Sequence, residues 1–131
     1  MPIEKNELDF YNKISFDIIG CAYKVHHNLG PGLLESAYKA CMVYEIGKLG
    51  YSIKVETPLP LVYEDVKLEV GYRIDILVEN KVLIELKSVE ALSDIHTAQI
   101  LTYLKLSGTK LGLLINFNVP DLKDGIKRFV L

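Results

Sequence analysis

GYRIDILVENKVLIELKS, residues 71–88, is the stretch on which the fold turns. Two runs rich in Ile, Leu and Val flank the polar triplet Glu79-Asn80-Lys81, the pattern of a β-hairpin. With three residues in the loop, Val78 faces Val82, and counting outward sets Asp75 opposite Glu85 and Arg73 opposite Lys87. Alternation then puts these four polar residues on one face with Leu77 and Leu83. The other face carries Tyr72, Ile74, Ile76 and Val78 against Val82, Ile84 and Leu86. Two carboxylates directly across a strand pair repel unless a cation or a proton lies between them. Lys87 supplies part of that charge, and an oxygen-ligated divalent ion would supply the rest.

Half of the 131 residues are hydrophobic, enough to bury the core of one domain. The net charge of −2 excludes a protein that coats nucleic acid by charge alone, so any such binding is local. Cys21 and Cys41 lie in apolar helical patterns without a CxxC pair, which reads as buried thiols in a reducing compartment. Glu4, Lys5, Glu7 and Asp9 interrupt any apolar run at the N-terminus, and no run reaches the ~18 residues that span a bilayer. A cytoplasmic protein with no membrane segment is expected.

Upstream of the hairpin, Phe10, Ile14, Ile18, Ala22, Val25 and Leu29 recur at helical spacing, which predicts a helix over 9–29 closed by Gly30-Pro31. A second helix is predicted over 33–49, with Leu34, Ala37, Tyr38, Cys41 and Met42 near one face and Gly50 as its stop. Residues 51–63 take on β character, with Pro58 and Pro60 marking an edge or an interruption. After a turn at Glu64-Asp65, residues 66–70 lead into the hairpin, giving three strands in an antiparallel meander. Downstream, Ser93 caps a helix over 94–107, whose His96, Gln99 and Tyr103 share a face, and Gly108 ends it. Leu111–Phe117 reads as a strand buried on both sides, and the tail from Pro120 as a short helix or an edge strand. The fold class is α/β: a mixed sheet, made of the meander and a further buried strand, flanked by helices.

Each polar candidate also has a structural reading. Asp75, Glu85 and Lys87 could be a solvated face stitched by salt bridges, Arg73 with Asp75 or Glu85 with Lys87. Glu35 in the first turn of a helix is favoured by the helix dipole alone. Gln99 and Tyr103 either line a site or pack as ordinary helix residues. Arg73 binds a phosphate or pairs with an acid, and His26, His27 and His96 are not required by a hard, oxygen-rich site.

The ordered set Gly32-Leu33-Leu34-Glu35-Ser36-Ala37-Tyr38, Tyr72-Arg73-Ile74-Asp75 and Glu85-Leu86-Lys87 resembles the PD-(D/E)XK nuclease superfamily. Within it the chain is similar to the small bacterial family named for the GxxExxY motif, over most of its length from about Ile14 onward. The resemblance implies a restriction-endonuclease-like core. It implies that Asp75 and Glu85 bind Mg²⁺ or Mn²⁺ with the Leu86 carbonyl, and that Glu35 completes the metal site. It further implies that Lys87 orients or helps deprotonate the attacking water, and that Gln99 and Tyr103 correspond to the QxxxY element of RecB-type nucleases. His96 and Arg73 are further candidates to line the site.

The expected function is therefore metal-dependent hydrolysis of phosphodiester bonds in nucleic acid, DNA ahead of RNA. The alternative, from another class, is a non-catalytic interaction or regulatory module on the same fold, which the near balance of 15 basic and 17 acidic residues favours. A domain this small has little surface for gripping a substrate, so a homodimer or a partner protein would extend it.

Overall fold

The computed structural model describes residues 4–131. Two helices lead, α1 (Lys5–Leu29) and α2 (Glu35–Lys48). Strands β1 (Ile53–Pro58), β2 (Leu61–Tyr63), β3 (Val66–Leu68), β4 (Arg73–Val78) and β5 (Val82–Lys87) follow. Helix α3 (Asp94–Ser107) and strand β6 (Leu111–Asn116) come next, then a short 3-10 helix (Leu122–Gly125) and β7 (Ile126–Val130).

Five strands form one mixed sheet in the order β1-β4-β5-β6-β7, parallel only between β5 and β6. That parallel pair needs a crossover, and α3 supplies it. Helices α1 and α2 bury Ile14, Ile18, Tyr38, Met42 and Ile46 against Ile76, Val82, Ile84, Leu86 and Leu113 on one face of the sheet. On the other face α3 buries Ile100, Tyr103 and Leu104 against Leu77, Leu83 and Leu114. Every residue of β6 is buried, as expected for a strand covered on both sides. Gly112 makes this possible: a β-carbon there would meet Ile100 and Leu104 at 3.1–3.2 Å. Among the described residues, no helix is long and apolar enough to cross a membrane.

The hairpin has the expected three-residue loop, with Val78 paired to Val82. Glu79 and Asn80 both have positive φ, the handedness that matches strand twist. Three expectations need correction. The meander is β1-β4-β5, because β1 pairs directly with β4; β2 and β3 form a separate two-stranded sheet inserted between them. Its turn is the expected Glu64-Asp65, both at positive φ. Pro58 and Pro60 end the first strand by removing donors, and Gly71, at φ 83°, turns the chain back toward the sheet. On α1, Tyr11 takes the buried position instead of Phe10, and the helix starts at Lys5, where Lys5, Glu7 and Leu8 are good helix formers and Glu7 suits the first-turn dipole. On α2, Leu34 is exposed and lies before the first helical residue.

Candidate active site

A fourth correction concerns the β4–β5 ladder, and it makes the site. Its paired residues end at Ile76 and Ile84. Next along, where Asp75 and Glu85 face each other, side chains replace the backbone bonds. The Asp75 N–H donates to Glu85 Oε1 at 3.1 Å, and the Leu86 N–H donates to Asp75 Oδ2 at 2.9 Å. The β1–β4 pairing also skips the Glu56–Asp75 position, and Glu56 has φ 52°. Strict alternation is lost there. Ile74, expected on the face of Ile76, packs instead with Leu77 and Leu83 on the α3 side. Tyr72 follows it and tilts onto Tyr103, with ring centroids 5.7 Å apart.

Glu85 is only 3% exposed. Burial, and then the negative charge of Asp75, push its carboxyl up to about 8. The pair therefore holds a proton near neutral pH unless a cation displaces it. Asp75 Oδ1 lies 3.9 Å from Lys39 Nζ, and Lys39 also binds the Glu56 carboxylate. Lys39 is one turn beyond Glu35 on α2, a spacing that could have flagged it in the sequence. Glu56 gave no such signal, because its place beside Asp75 comes from strand pairing.

Glu35 opens α2 at the mouth of the site. Although the residue is exposed, crowding by protein raises its carboxyl pKa, opposed by Lys87 and reinforced by Asp75. The loop before it is fixed by Tyr38, whose ring stacks on Phe117 at 4.4 Å. The Tyr38 hydroxyl donates to the Gly30 carbonyl at 2.6 Å and accepts the Leu33 N–H at 3.2 Å. Gly32 at φ 96° supplies the left-handed turn between them. In Gly32-x-x-Glu35-x-x-Tyr38, then, the glycine bends the loop, the tyrosine anchors it and the glutamate faces the acidic pair. Ser88 Oγ donates to the Leu33 carbonyl at 2.6 Å, tying the end of β5 to that loop. Buried Asn116 bonds both the N–H and the carbonyl of Val89, fixing the chain that leaves β5.

Lys87 is half-buried at the end of β5 and, among the described residues, forms no ion pair. Arg73 is exposed, and the ladder does not reach far enough to pair it with Lys87. His96 Nδ1 accepts the Ser93 N–H at 3.0 Å, a capping role, with its ring within electrostatic reach of Glu35. The Gln99 amide meets the Tyr103 hydroxyl at 3.3 Å, and that hydroxyl in turn feels the charges of Glu85 and Asp75. His26 bonds the Val119 carbonyl at 2.8 Å, away from this cluster.

Among the described residues, no three His, Cys, Asp or Glu side chains converge as a metal cage. Of the expected carboxylate set, Asp75 and Glu85 are brought together, while Glu35 stands off from them. The donor chemistry still suits a hard divalent ion, since the pair is oxygen-only, Glu85 is buried and Asp75 half-buried, and the charge of Asp75 raises the cost of ionising Glu85.

A mixed five-strand sheet with helices on both faces, opened at the end of its central hairpin by an acidic pair and a lysine, is the restriction-endonuclease-like architecture. The chain belongs to the PD-(D/E)XK nuclease superfamily, whose family model matches residues 12–129. No curated protein and no solved structure matches the chain.

Proposed function

We propose that this protein, as one domain of the GxxExxY type, is a metal-dependent nuclease that hydrolyses phosphodiester bonds of DNA. The observation that carries the reading is the Asp75–Glu85 pair where the hairpin ladder opens, with Glu85 buried, Asp75 half-buried and Lys87 two residues beyond Glu85 on β5. PD-(D/E)XK nucleases generally use divalent metals. Here Asp75, Glu85 and the Leu86 carbonyl would hold Mg²⁺ or Mn²⁺, with Glu35 completing the set from the start of α2.

The bound ion supplies charge neutralisation at the phosphate and a more acidic water. The rest falls to the side chains. With an ion in place Glu85 would release its proton to solvent and, with Asp75, present a dianionic face held by the backbone N–H groups of Asp75 and Leu86. Among the described residues Lys87 forms no ion pair, so its ammonium can orient the attacking water and stabilise charge on the phosphoryl oxygens. Arg73 reaches from the strand edge toward a neighbouring phosphate. Tyr103, held by Gln99, closes the α3 side.

A second reading, a non-catalytic module, is favoured by the lack of a preassembled three-carboxylate cage among the described residues. Cleavage assays on a panel of DNA and RNA substrates, with Mg²⁺, Mn²⁺ or EDTA and with Glu85→Ala as control, separate the two. Cutting only with metal and only by the unaltered protein is the expected result. No cutting of any substrate, or full activity in Glu85→Ala, favours the module.

A further inference from the structure

On the α3 side of the acidic pair lies a cleft of about 240 Å³, walled by Tyr72, Ile95, Ala98, Gln99, Thr102 and Tyr103. That is just under the ~300 Å³ at which drug-sized sites begin, so there is room for a single planar ring system. Two of its walls are aromatic. The Tyr72 and Tyr103 rings are tilted 48° to each other rather than stacked; Tyr103 is buried, so the accessible ring surface belongs to Tyr72. The mouth is apolar and wet, with Ile95 79% exposed and Tyr72 38% exposed. The half-buried Gln99 amide and the exposed Thr102 hydroxyl add both donors and acceptors to the lining. The Tyr103 hydroxyl joins this cleft to Glu85 and Asp75.

The charges around the site point the same way. Glu35, Glu56, Asp75 and Glu85 lie among Lys39, Lys87 and His96, and the whole chain carries −2. A grip on duplex DNA through many phosphate contacts requires a basic surface that this balance does not provide. Stacking on an aromatic ring needs no net charge and accepts any base, but only a base out of its helical stack.

We propose that the Tyr72–Tyr103 cleft seats an unstacked nucleobase of single-stranded or frayed DNA, beside the phosphodiester presented to Asp75, Glu85 and Lys87. The assignment rests on the nuclease reading for what happens to that phosphodiester, though not for the capture of the base. Single strands and frayed ends are then the substrates, and closed duplex is not.

The test measures anisotropy of a labelled DNA single strand and of a hairpin-closed blunt duplex with the full chain in EDTA, where no cutting occurs. The single strand binds more tightly, and Tyr72→Ala weakens it by roughly 5- to 150-fold, the loss of one stacked base, with no effect on the duplex. Tyr72→Ala also loses the contact with Tyr103, so thermal melting confirms that it is folded at the assay temperature, and Tyr72→Phe, which keeps the ring, should bind the single strand as the unaltered protein does. Equal binding of both DNAs, no binding of either, or no loss in Tyr72→Ala overturns the cleft. Cleavage with Mg²⁺ is read separately. Tyr72-dependent binding without cutting supports the cleft and defeats the nuclease reading. Cutting that Tyr72→Ala leaves unchanged on both DNAs does the reverse.

Discussion

Asp75 and Glu85 are cross-strand neighbours that exchange side chain for backbone: the Asp75 N–H donates to Glu85 Oε1 at 3.1 Å, and the Asp75 carboxylate accepts the Leu86 N–H at 2.9 Å. The ladder gives up its own bonds to brace two acids in the interior. An acid pair so held costs stability when both members are ionised, and a cation relieves that cost.

The relation gives a pH dependence. Glu85 is raised from 4.5 to about 8, so the folded protein binds this proton more tightly than the unfolded chain. The stabilisation is complete below about pH 4.5 and is lost as pH rises through about 8. In EDTA the melting temperature should fall over that window, and Glu85→Gln should flatten the fall. Mn²⁺ competes with the same proton, so it should raise the melting temperature more above pH 8 than near pH 5. A metal effect that is the same at both ends contradicts this account.

Lys87→Ala should abolish cleavage while leaving the fold in place. Lys87 is half-buried and takes part in no ion pair among the described residues, so its removal should change stability by no more than about 0.5 kcal/mol. Loss of a positioned acid-base or electrostatic group should lower kcat by at least ~100-fold. A variant that melts as the unaltered protein does and cuts at an undiminished rate would remove Lys87 from the mechanism.

Lys39→Met should tighten metal binding. Its ammonium sits 3.9 Å from Asp75 Oδ1 and also binds Glu56, so it stands as a resident cation where an incoming one is needed. Two like charges at about 4 Å oppose each other by ~1 kcal/mol in water and ~4 kcal/mol near a protein surface. The Kd for Mn²⁺, read by calorimetry, should fall at least severalfold. A weaker Kd would mean that Lys39 preorganises Asp75 for the ion.

Local signals carried the elements well but not their partners. Ser93 and Gly108 delimited α3 to the residue, and Glu79-Asn80-Lys81 fixed the hairpin register, because caps and turns are decided within a few residues. Pro58 and Pro60 marked a break, yet nothing local said that β2 and β3 would leave the sheet and let β1 reach β4. Strict alternation puts Ile74 on the wrong face because it assumes an unbroken ladder, and this one opens at the site. Asp75, Glu85 and Lys87 were visible because they lie on one hairpin. Lys39 and Glu56 reach the same point only through the packing of α2 and the pairing of β1, which no spacing within the hairpin encodes.

Tyr38 offers the sharpest test of how the helix-borne acid is positioned. Tyr38→Phe keeps the ring on Phe117 but removes the hydroxyl that binds the Gly30 carbonyl and the Leu33 N–H. Two loop groups lose their partner, a loss of about 1–3 kcal/mol that thermal melting will show. If the loop matters because it holds Glu35 toward Asp75 and Lys87, Tyr38→Phe should lower kcat in the unaltered protein and have little further effect in a Glu35→Ala background. Equal, additive losses in both backgrounds would make Tyr38 a stability residue alone and would detach Glu35 from the loop that carries it.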